Sequence, residues 1–123
     1  MKLYDFDKLH YSNKITIYTQ DKYFGPGVAR IMQLVKETGT LSEAYKIMGM
    51  SSSKAWKIIK KSESDLGVKL IVTVAGGSGG GRSELTEEGE DFLKRYQGFS
   101  KELDETAEKL FEKYFYCDTI NID

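Results

Sequence analysis

The stretch of residues 40–67 constrains the fold most, because it holds two helices with almost no linker between them. Residues 40–43 (TLSE) have the T-x-x-E form of a capping box, in which each end's side chain binds the other's free backbone N–H. Gly49 ends this short helix, and Ser51 or Ser52 begins the next. Such a tight turn sets two helices at a steep angle, which is the arrangement of a helix-turn-helix motif.

A further helix and a small pair of strands precede this stretch. Pro26 suits the first turn of a helix, and Gly39 is a candidate C-cap. Residues 14–20 alternate apolar and polar side chains as a strand does, and with Tyr23-Phe24 they predict an N-terminal hairpin over residues 14–25. Apolar residues at helical spacing predict the buried face of the first helix: Val28, Ile31, Met32, Leu34 and Val35.

The third helix, predicted at about residues 52–66, has an apolar face and a basic one. Serines and lysines lie away from the apolar face. Hydroxyls and a helix N-terminus suit phosphate oxygens, and lysines add counterion release, so the pattern predicts a recognition helix for nucleic acid. The alternative is a solvated lysine face on a structural helix. The residues predicted for its inner face are spaced 3, 1, 3 and 4 apart: Ala55, Ile58, Ile59, Ser62 and Leu66.

A glycine-rich loop, residues 76–81, separates a predicted strand at residues 69–74 from a short return segment at residues 82–85. A hairpin attached to a helix-turn-helix is a wing, and its glycines let the backbone approach a crowded surface. A nucleotide-binding loop would need G-K-[ST] at the start of a helix, whereas Arg82-Ser83 and a strand-like segment follow here. A flexible hairpin without any ligand is the other alternative.

Trp56 borders the apolar face of the third helix without lying at its centre. It can pack beneath the wing or against the first helix, or it can contact DNA sugar or base. We favour packing, because a tryptophan contributes most by burying its large area.

Thr86 is a candidate N-cap for a final helix over residues 86–116. The apolar residues of this helix are spaced alternately 4 and 3 apart, which is the pattern of a coiled coil. Gly98 and Ser100 are weak helix formers and mark a candidate kink or break. So long a helix cannot bury its stripe on so small a domain, and we expect a second copy of the chain to cover Phe92, Tyr96, Phe99, Leu103, Leu110 and Phe111.

Composition supports a packed core and a cytoplasmic protein. The chain has 123 residues, of which 40% are hydrophobic, so we expect a single domain spanning residues 1–123. No apolar run approaches the ~18 residues of a membrane span, and the N-terminus lacks the core of a signal peptide. The single cysteine, Cys117, allows no intramolecular disulfide. The expected fold is α+β, mainly α: a winged helix-turn-helix with a small N-terminal hairpin and a long C-terminal dimerisation helix.

The net charge of −1 conceals an uneven distribution of charge. Residues 1–50 carry 7 basic and 5 acidic groups (+2), residues 51–82 carry 6 and 2 (+4), and residues 83–123 carry 5 and 12 (−7). A basic centre and an acidic C-terminal end indicate two surfaces with different partners, with ordinary solvated charge as the alternative.

Residues suited to catalysis or metal binding are few. His10 is the only histidine and Cys117 the only cysteine, so neither a metal cluster nor a Cys/His pair with a third partner can be assembled. We expect no enzymatic activity and no cofactor.

Several motifs together resemble one family. They are G-T-L-S-E-A at residues 39–44, Met50-Ser51 ahead of Ala55-Trp56, the G-G-x-G-G-G loop, and Leu85-Thr86-x-x-Gly89. Over roughly residues 23–97, the chain resembles the N-terminal DNA-binding domain of the ModE family of molybdate-responsive regulators, a winged helix similar to that of LysR-type regulators. The family implies a C-terminal oxyanion-binding domain, but only 26 residues (98–123) follow Gln97. We therefore expect no binding of molybdate or another oxyanion.

The expected function is sequence-specific transcription regulation by a homodimer bound to double-stranded DNA. The recognition helix enters the major groove, and the wing at residues 69–85 lies on the backbone or in the minor groove. Ser52, Ser53 and Lys57 are the first candidates for base contacts. The alternative is a winged-helix module that binds proteins and not DNA. The candidate DNA-binding residues are Ser42, Ser51, Ser52, Ser53, Lys54, Lys57, Lys60, Lys61, Gly77, Ser78, Gly79 and Arg82.

Overall fold

Four helices and two antiparallel two-stranded sheets are present in the computed structural model, which describes residues 8–20, 22–74 and 81–116. This mainly helical α+β arrangement confirms the predicted winged helix-turn-helix. Within the described ranges, no helix is both long enough and apolar enough to cross a bilayer. In chain order the elements are β1 Ile17–Tyr18, β2 Lys22–Phe24, α1 Pro26–Thr38, α2 Leu41–Met48, α3 Ser52–Leu66, β3 Ile71–Val74, β4 Arg82–Leu85 and α4 Glu87–Phe115.

Local signals set the ends of the first three helices. Pro26 opens α1, and Gly39 closes it in the left-handed conformation at φ 82°, with its N–H donated to the Val35 carbonyl at 2.8 Å. Gly49 and Gly67 close α2 and α3 in the same way, at φ 69° and 74°. A glycine adopts this backbone conformation without the steric penalty that a Cβ would bring. The predicted helix ends are therefore confirmed.

The capping box at the start of α2 forms only in part. Thr40 Oγ1 accepts the N–H of Glu43 at 3.0 Å, as predicted. The reciprocal bond is replaced, because the N–H of Thr40 is donated to Thr38 Oγ1 at 3.4 Å. Only Gly39 and Thr40 separate the two helices, so the last side chain of α1 already lies beside this amide. The Glu43 carboxylate instead lies 3.8 Å from Lys46 Nζ.

The N-terminal strands form the predicted hairpin, although both are short. β1 pairs antiparallel with β2, with Ile17 opposite Phe24 and Tyr18 opposite Lys22. The register shifts between Ile17 and Tyr18, which shortens the ladder relative to the predicted strand at residues 14–20. Asp21, which falls within the predicted hairpin of residues 14–25, is outside the described residues.

The described residues divide into two compact units, Lys14–Gln97 and residues 8–13 with 98–116. The core of Lys14–Gln97 includes all five apolar residues predicted for α1. Polar side chains also bind within this unit, since Tyr96 donates its hydroxyl to the Ile15 carbonyl at 2.6 Å. Its buried hydrophobic residues are Ile15, Phe24, Val28, Ala29, Ile31, Met32, Leu34, Val35, Ala44, Ala55, Ile59, Leu70, Ile71, Leu93 and Tyr96.

The wing joins the helices through hydrogen bonds at its base. β3 and β4 pair in register from Ile71 opposite Leu85 to Val74 opposite Arg82. The N–H of Ser83 is donated to the Gly39 carbonyl at 2.9 Å, which ties β4 to the end of α1. The paired strand begins at residue 71 and not at the predicted residue 69. The backbone of residues 69–71 instead binds Glu63 of α3 and Thr86, which precedes α4.

Thr86 fixes the start of α4 and contacts the other strand of the wing. Its Oγ1 accepts the N–H of Gly89 at 2.9 Å, which confirms it as the N-cap. The same hydroxyl donates to the Lys69 carbonyl at 2.5 Å, and the N–H of Thr86 is donated to the Leu70 carbonyl at 2.9 Å. Helix α4 continues through Gly98 and Ser100, so the candidate break is absent.

The second unit is held by aromatic contacts. The ring of Phe111 lies with its centroid 5.0 Å from those of Tyr11 and Phe115 and 5.4 Å from that of Tyr116. Tyr11 donates its hydroxyl to the Asp104 carbonyl at 3.2 Å. Desolvation, with the charges of Glu108 and Asp104 nearby, raises the pKa of Tyr11 above its ordinary value.

Candidate nucleic-acid interface

The first turn of α3 presents hydroxyls and free backbone N–H groups to solvent. Ser51 is the N-cap, since its Oγ accepts the N–H of Lys54 at 3.2 Å, and it lies 3.3 Å from Ser53 Oγ. Ser51, Ser52, Ser53 and Lys54 are all exposed. An exposed helix N-terminus combines N–H donors with the positive end of the helix dipole, which favours an anion such as phosphate.

Burial of one face of α3 forces the other face outward. Ala55, Ile59 and Ser62 are completely buried, and Ile58 and Leu66 pack partly against the core, as predicted. Helical periodicity then places Ser53, Trp56, Lys57 and Lys60 on the exposed side. Ser52, the first residue of the helix, is exposed as well. The hydroxyl of Ser62 is buried without a hydrogen-bond partner.

The lysines of α3 differ in their partners. Lys60 Nζ lies 3.4 Å from Glu63 Oε1, and Lys61 Nζ lies 3.4 Å from Asp65 Oδ2. Neither Lys54 nor Lys57 forms an ion pair with any residue that the structure describes. The two unpaired charges are thus those nearest the N-terminus of the helix.

The sequence analysis favoured a packed Trp56, and the structure shows that this prediction was wrong. Its side chain is 40% exposed, on the same side of α3 as the lysines. Lys60 Nζ lies 4.6 Å from the centroid of the indole ring, within range of a cation–π interaction. Trp56 is thus not among the buried residues of its unit, whereas its neighbour Ala55 is.

Glu63 links α3 to the wing, a role the sequence interpretation missed. It is 8% exposed, and its Oε2 accepts the N–H of Leu70 at 2.8 Å and that of Ile71 at 3.3 Å. The carboxylate therefore takes the place of a neighbouring strand at the start of β3. The only signal available was that residue 63 follows Ile59 by four positions, which places an acidic side chain on the inner face.

The other predicted DNA-binding residues are dispersed or partly paired. Ser42, on α2, is exposed, and its Oγ accepts the Tyr45 hydroxyl at 3.4 Å. Arg82, at the start of β4, is exposed and lies with Nη2 3.2 Å from Glu84 Oε1. Gly77, Ser78 and Gly79 of the wing tip lie outside the described residues.

The predicted dimerisation stripe divides into buried and exposed residues. Tyr96 is 6% exposed, and its ring packs against Phe24 at 5.0 Å, so it lies in the core of its own chain and not in a surface stripe. Phe92 likewise packs on Phe24, with centroids 4.5 Å apart. The heptad spacing cannot distinguish these intrachain contacts from contacts with a partner helix. The large exposed residues of the stripe are Phe99, Leu103 and Leu110, while Phe111 is partly buried among aromatic rings.

Metal chemistry has no site in the described part of the chain. No three His, Cys, Asp or Glu side chains come together there in a way that could hold an ion. Cys117, named in the sequence analysis, lies outside the described residues.

The sequence of the interface matches a known family. Residues 28–90, which are 63 of the 123 residues, match the bacterial regulatory helix-turn-helix proteins of the lysR family. The chain belongs to this family. The match runs from α1 to the first turn of α4 and thus includes α2, α3 and the wing. The match shows that the chain carries the helix-turn-helix domain of this family of bacterial regulatory proteins.

Two curated relatives identify the type of domain. The molybdenum transport protein ModE of Azotobacter vinelandii is 27% identical over 84 residues, which are 68% of this chain and 31% of that protein. The transcriptional regulator ModE of Yersinia pestis is 29% identical over 83 residues, which are 67% of this chain and 32% of that protein. The chain spans about a third of the length of these relatives, and it carries a helix-turn-helix domain of the ModE type.

Proposed function

We propose that the chain regulates transcription as a homodimer that binds double-stranded DNA, with α3 in the major groove and the wing on the backbone or in the minor groove. One observation carries the proposal. The first two turns of α3 expose three serines, the helix N-terminus, and Lys54 and Lys57, neither of which has an ionic partner among the described residues. A polyanion offers partners to all of these groups at once.

Two kinds of contact divide the interface. Backbone N–H groups, Ser51, Lys54 and Arg82 bind phosphate oxygens and set the orientation of the protein. Ser52 and Ser53 are the candidates for base edges in the major groove. Lys57, first considered for a base contact, is assigned to phosphate because its charge has no ionic partner among the described residues. We assign Ser42 and Lys61 to the periphery of this contact. Gly77, Ser78 and Gly79 stay predicted contacts of the wing tip.

The exposed apolar residues of α4 support dimerisation. Phe99 is 50%, Leu103 37% and Leu110 49% exposed, and they recur at spacings of 4 and 7. A second copy of the same helix would cover such a stripe with knobs-into-holes packing. A two-fold dimer binds half-sites about 34 Å apart, or a multiple of that, so its DNA sites are inverted repeats.

The proposal includes no enzymatic activity, because the family to which the chain belongs consists of regulators. It includes no cofactor and no binding of molybdate or another oxyanion. The place of action is the cytoplasm, where a bacterial regulator meets DNA.

Selection of bound sequences from a random duplex library tests the proposal. We expect enrichment of an inverted repeat, and a gel-shift titration in which affinity falls steeply with salt. Recovery of a single half-site without symmetry would contradict the dimer. Absence of any binding above random competitor would contradict DNA recognition and favour the protein-binding module.

A further inference from the structure

We infer that Trp56 contacts a base pair and determines sequence specificity, and that Lys60 is the positioning residue that holds the indole ring and not a phosphate contact. The inference rests on the proposed function. It assigns a DNA contact to Trp56, which the sequence analysis expected to pack inside the protein. It also removes the charge of Lys60 from the set that binds the DNA backbone.

The position of Trp56 carries the first half of the inference. It lies between Ala55 and Lys57, where Ala55 is completely buried and the indole is 40% exposed. Exposed tryptophan is unfavourable in water, and its area is covered when a partner arrives. In the major groove the apolar partner is the C5-methyl group of thymine, and the indole N–H can donate to an acceptor on a neighbouring base edge.

The surroundings of Lys60 carry the second half. Its Nζ lies 4.6 Å from the Trp56 ring centroid and 3.4 Å from Glu63 Oε1. Glu63 is fixed in turn, because its other oxygen accepts the N–H groups of Leu70 and Ile71. The ammonium group is thus held between an aromatic face and an anchored carboxylate.

This arrangement differs from that of the unpaired lysines. Lys57 has no ionic partner among the described residues, so its charge is available to phosphate. Moving Lys60 to phosphate would leave the buried carboxylate of Glu63 without its counterion, which carries a free-energy penalty. Lys60 therefore restricts the rotamer of Trp56, and the wing base restricts Lys60 through Glu63.

Fluorescence of the unmodified protein gives the first test, since Trp56 is its only tryptophan. We expect acrylamide to quench Trp56 readily in the free protein, and quenching to fall sharply when the library-selected duplex binds. A random duplex, held mainly by phosphate contacts, should protect the indole less. Equal quenching in free and specifically bound protein would overturn the assignment.

Library selection with substituted proteins gives the second test. Trp56→Ala should reduce affinity for the selected site about tenfold or more, relax preference at one or two base pairs in each half-site, and leave the salt slope unchanged. Trp56→Phe should keep part of the preference. Because the side chain is exposed, both variants should show wild-type circular dichroism. An unaltered selected sequence in both variants would refute a base contact.

Lys60→Gln separates a positioning role from a phosphate contact. We expect it to relax the same base pairs as Trp56→Ala without changing the salt slope, and Lys60→Arg to restore them, because arginine also binds aromatic faces. Lys57→Gln should make the negative slope of log affinity against log salt shallower by about 0.9 for each copy of the lysine in the complex. A comparable change for Lys60→Gln would make Lys60 a phosphate contact and overturn its assignment.

The experiments distinguish a failure of the proposed function from a failure of the Trp56 assignment alone. If the wild-type protein selects no sequence and binds no DNA above competitor, the proposed function and this inference both fall. If the wild-type protein selects an inverted repeat that Trp56→Ala also selects with equal affinity, only the inference falls. Protection of Trp56 by a protein partner without any DNA would assign the indole to a protein interface instead.

Discussion

At the residue scale, Gly89 shows why a side chain is excluded where α4 passes the wing. A Cβ at this position would overlap the backbone of Leu70, whereas a Cβ at Gly98 of the same helix would meet nothing within 4 Å. The Leu70 carbonyl cannot move away freely, because it accepts the N–H of Thr86 at 2.9 Å. The spacing Leu85-Thr86-x-x-Gly89 thus has a physical cause in the contact between helix and strand.

Two glycine-to-alanine substitutions test this contact. Gly89→Ala should destabilise the protein by about 1–3 kcal/mol, since overpacking forces a backbone shift. Gly98→Ala is the matched control and should stabilise it by about 0.5–1 kcal/mol, because alanine loses less conformational entropy in a helix. The free energy of unfolding in urea measures both. Equal stabilisation by the two substitutions would contradict the close approach.

At the element scale, α3 and the wing are coupled by Glu63. Its carboxylate occupies the N–H groups of Leu70 and Ile71, and the Leu70 carbonyl binds Thr86 at the start of α4. Three elements therefore meet where the wing begins. We expect the orientation of the wing relative to α3 to depend on this junction.

Removal of the Glu63 carboxylate should weaken the junction. Glu63→Ala leaves two buried amides unpaired and should cost about 1–3 kcal/mol or more in the free energy of unfolding. Glu63→Gln, which retains one acceptor oxygen, should cost less. Hydrogen exchange at Leu70 and Ile71 should accelerate in the alanine variant and only slightly in the glutamine variant. Unchanged exchange at both amides would show that the carboxylate does not hold the strand.

The sequence predicts those features of the elements that depend on neighbours along the chain. The left-handed glycines at 39, 49 and 67 and the caps at Thr40, Ser51 and Thr86 follow from local chemistry, and the structure confirms them. Features that depend on distant contacts were missed or misplaced. Tyr96 binds a carbonyl 81 residues away, and Glu63 binds amides seven and eight residues along, neither of which periodicity reveals.

The candidate site was predictable to a similar degree. The basic face of α3 follows from the helical spacing of its apolar residues, so the positions of Lys54 and Lys57 were foreseen. The sequence analysis missed the division of the lysines into paired and unpaired residues, although helical spacing contains it. Glu63 follows Lys60 by three residues and Asp65 follows Lys61 by four, whereas no acidic residue lies three or four positions from Lys54 or Lys57. The exposure of Trp56 needed coordinates, because Trp56 borders the apolar face of α3 and helical spacing alone does not decide whether such a side chain is buried.

At the scale of the whole molecule, the proposed dimer depends on the exposed stripe of α4. Leu103→Lys combined with Leu110→Lys should convert a dimer into a monomer, because a packed helix pair does not tolerate buried unpaired charge. Glu105→Lys with Glu112→Lys is the matched control. Both positions lie two residues further along, on the opposite side of the helix. Sedimentation equilibrium measures the mass. A monomeric wild-type protein, or a dimer unaffected by the leucine substitutions, would contradict this interface.

The salt dependence of DNA affinity tests the central claim most directly, namely that the unpaired lysines of α3 bind phosphate. The wild-type protein and the Lys54→Gln, Lys57→Gln variant are titrated with the library-selected duplex over a range of salt concentrations. Lys101→Gln, Lys109→Gln on α4 serves as the control with the same loss of charge. Log affinity falls with log salt, so the slope is negative. We predict that this slope is shallower in the α3 variant by about 0.9 for each lysine copy removed, and that the control retains the wild-type slope. Equal slopes for the wild-type protein and the α3 variant would contradict the account.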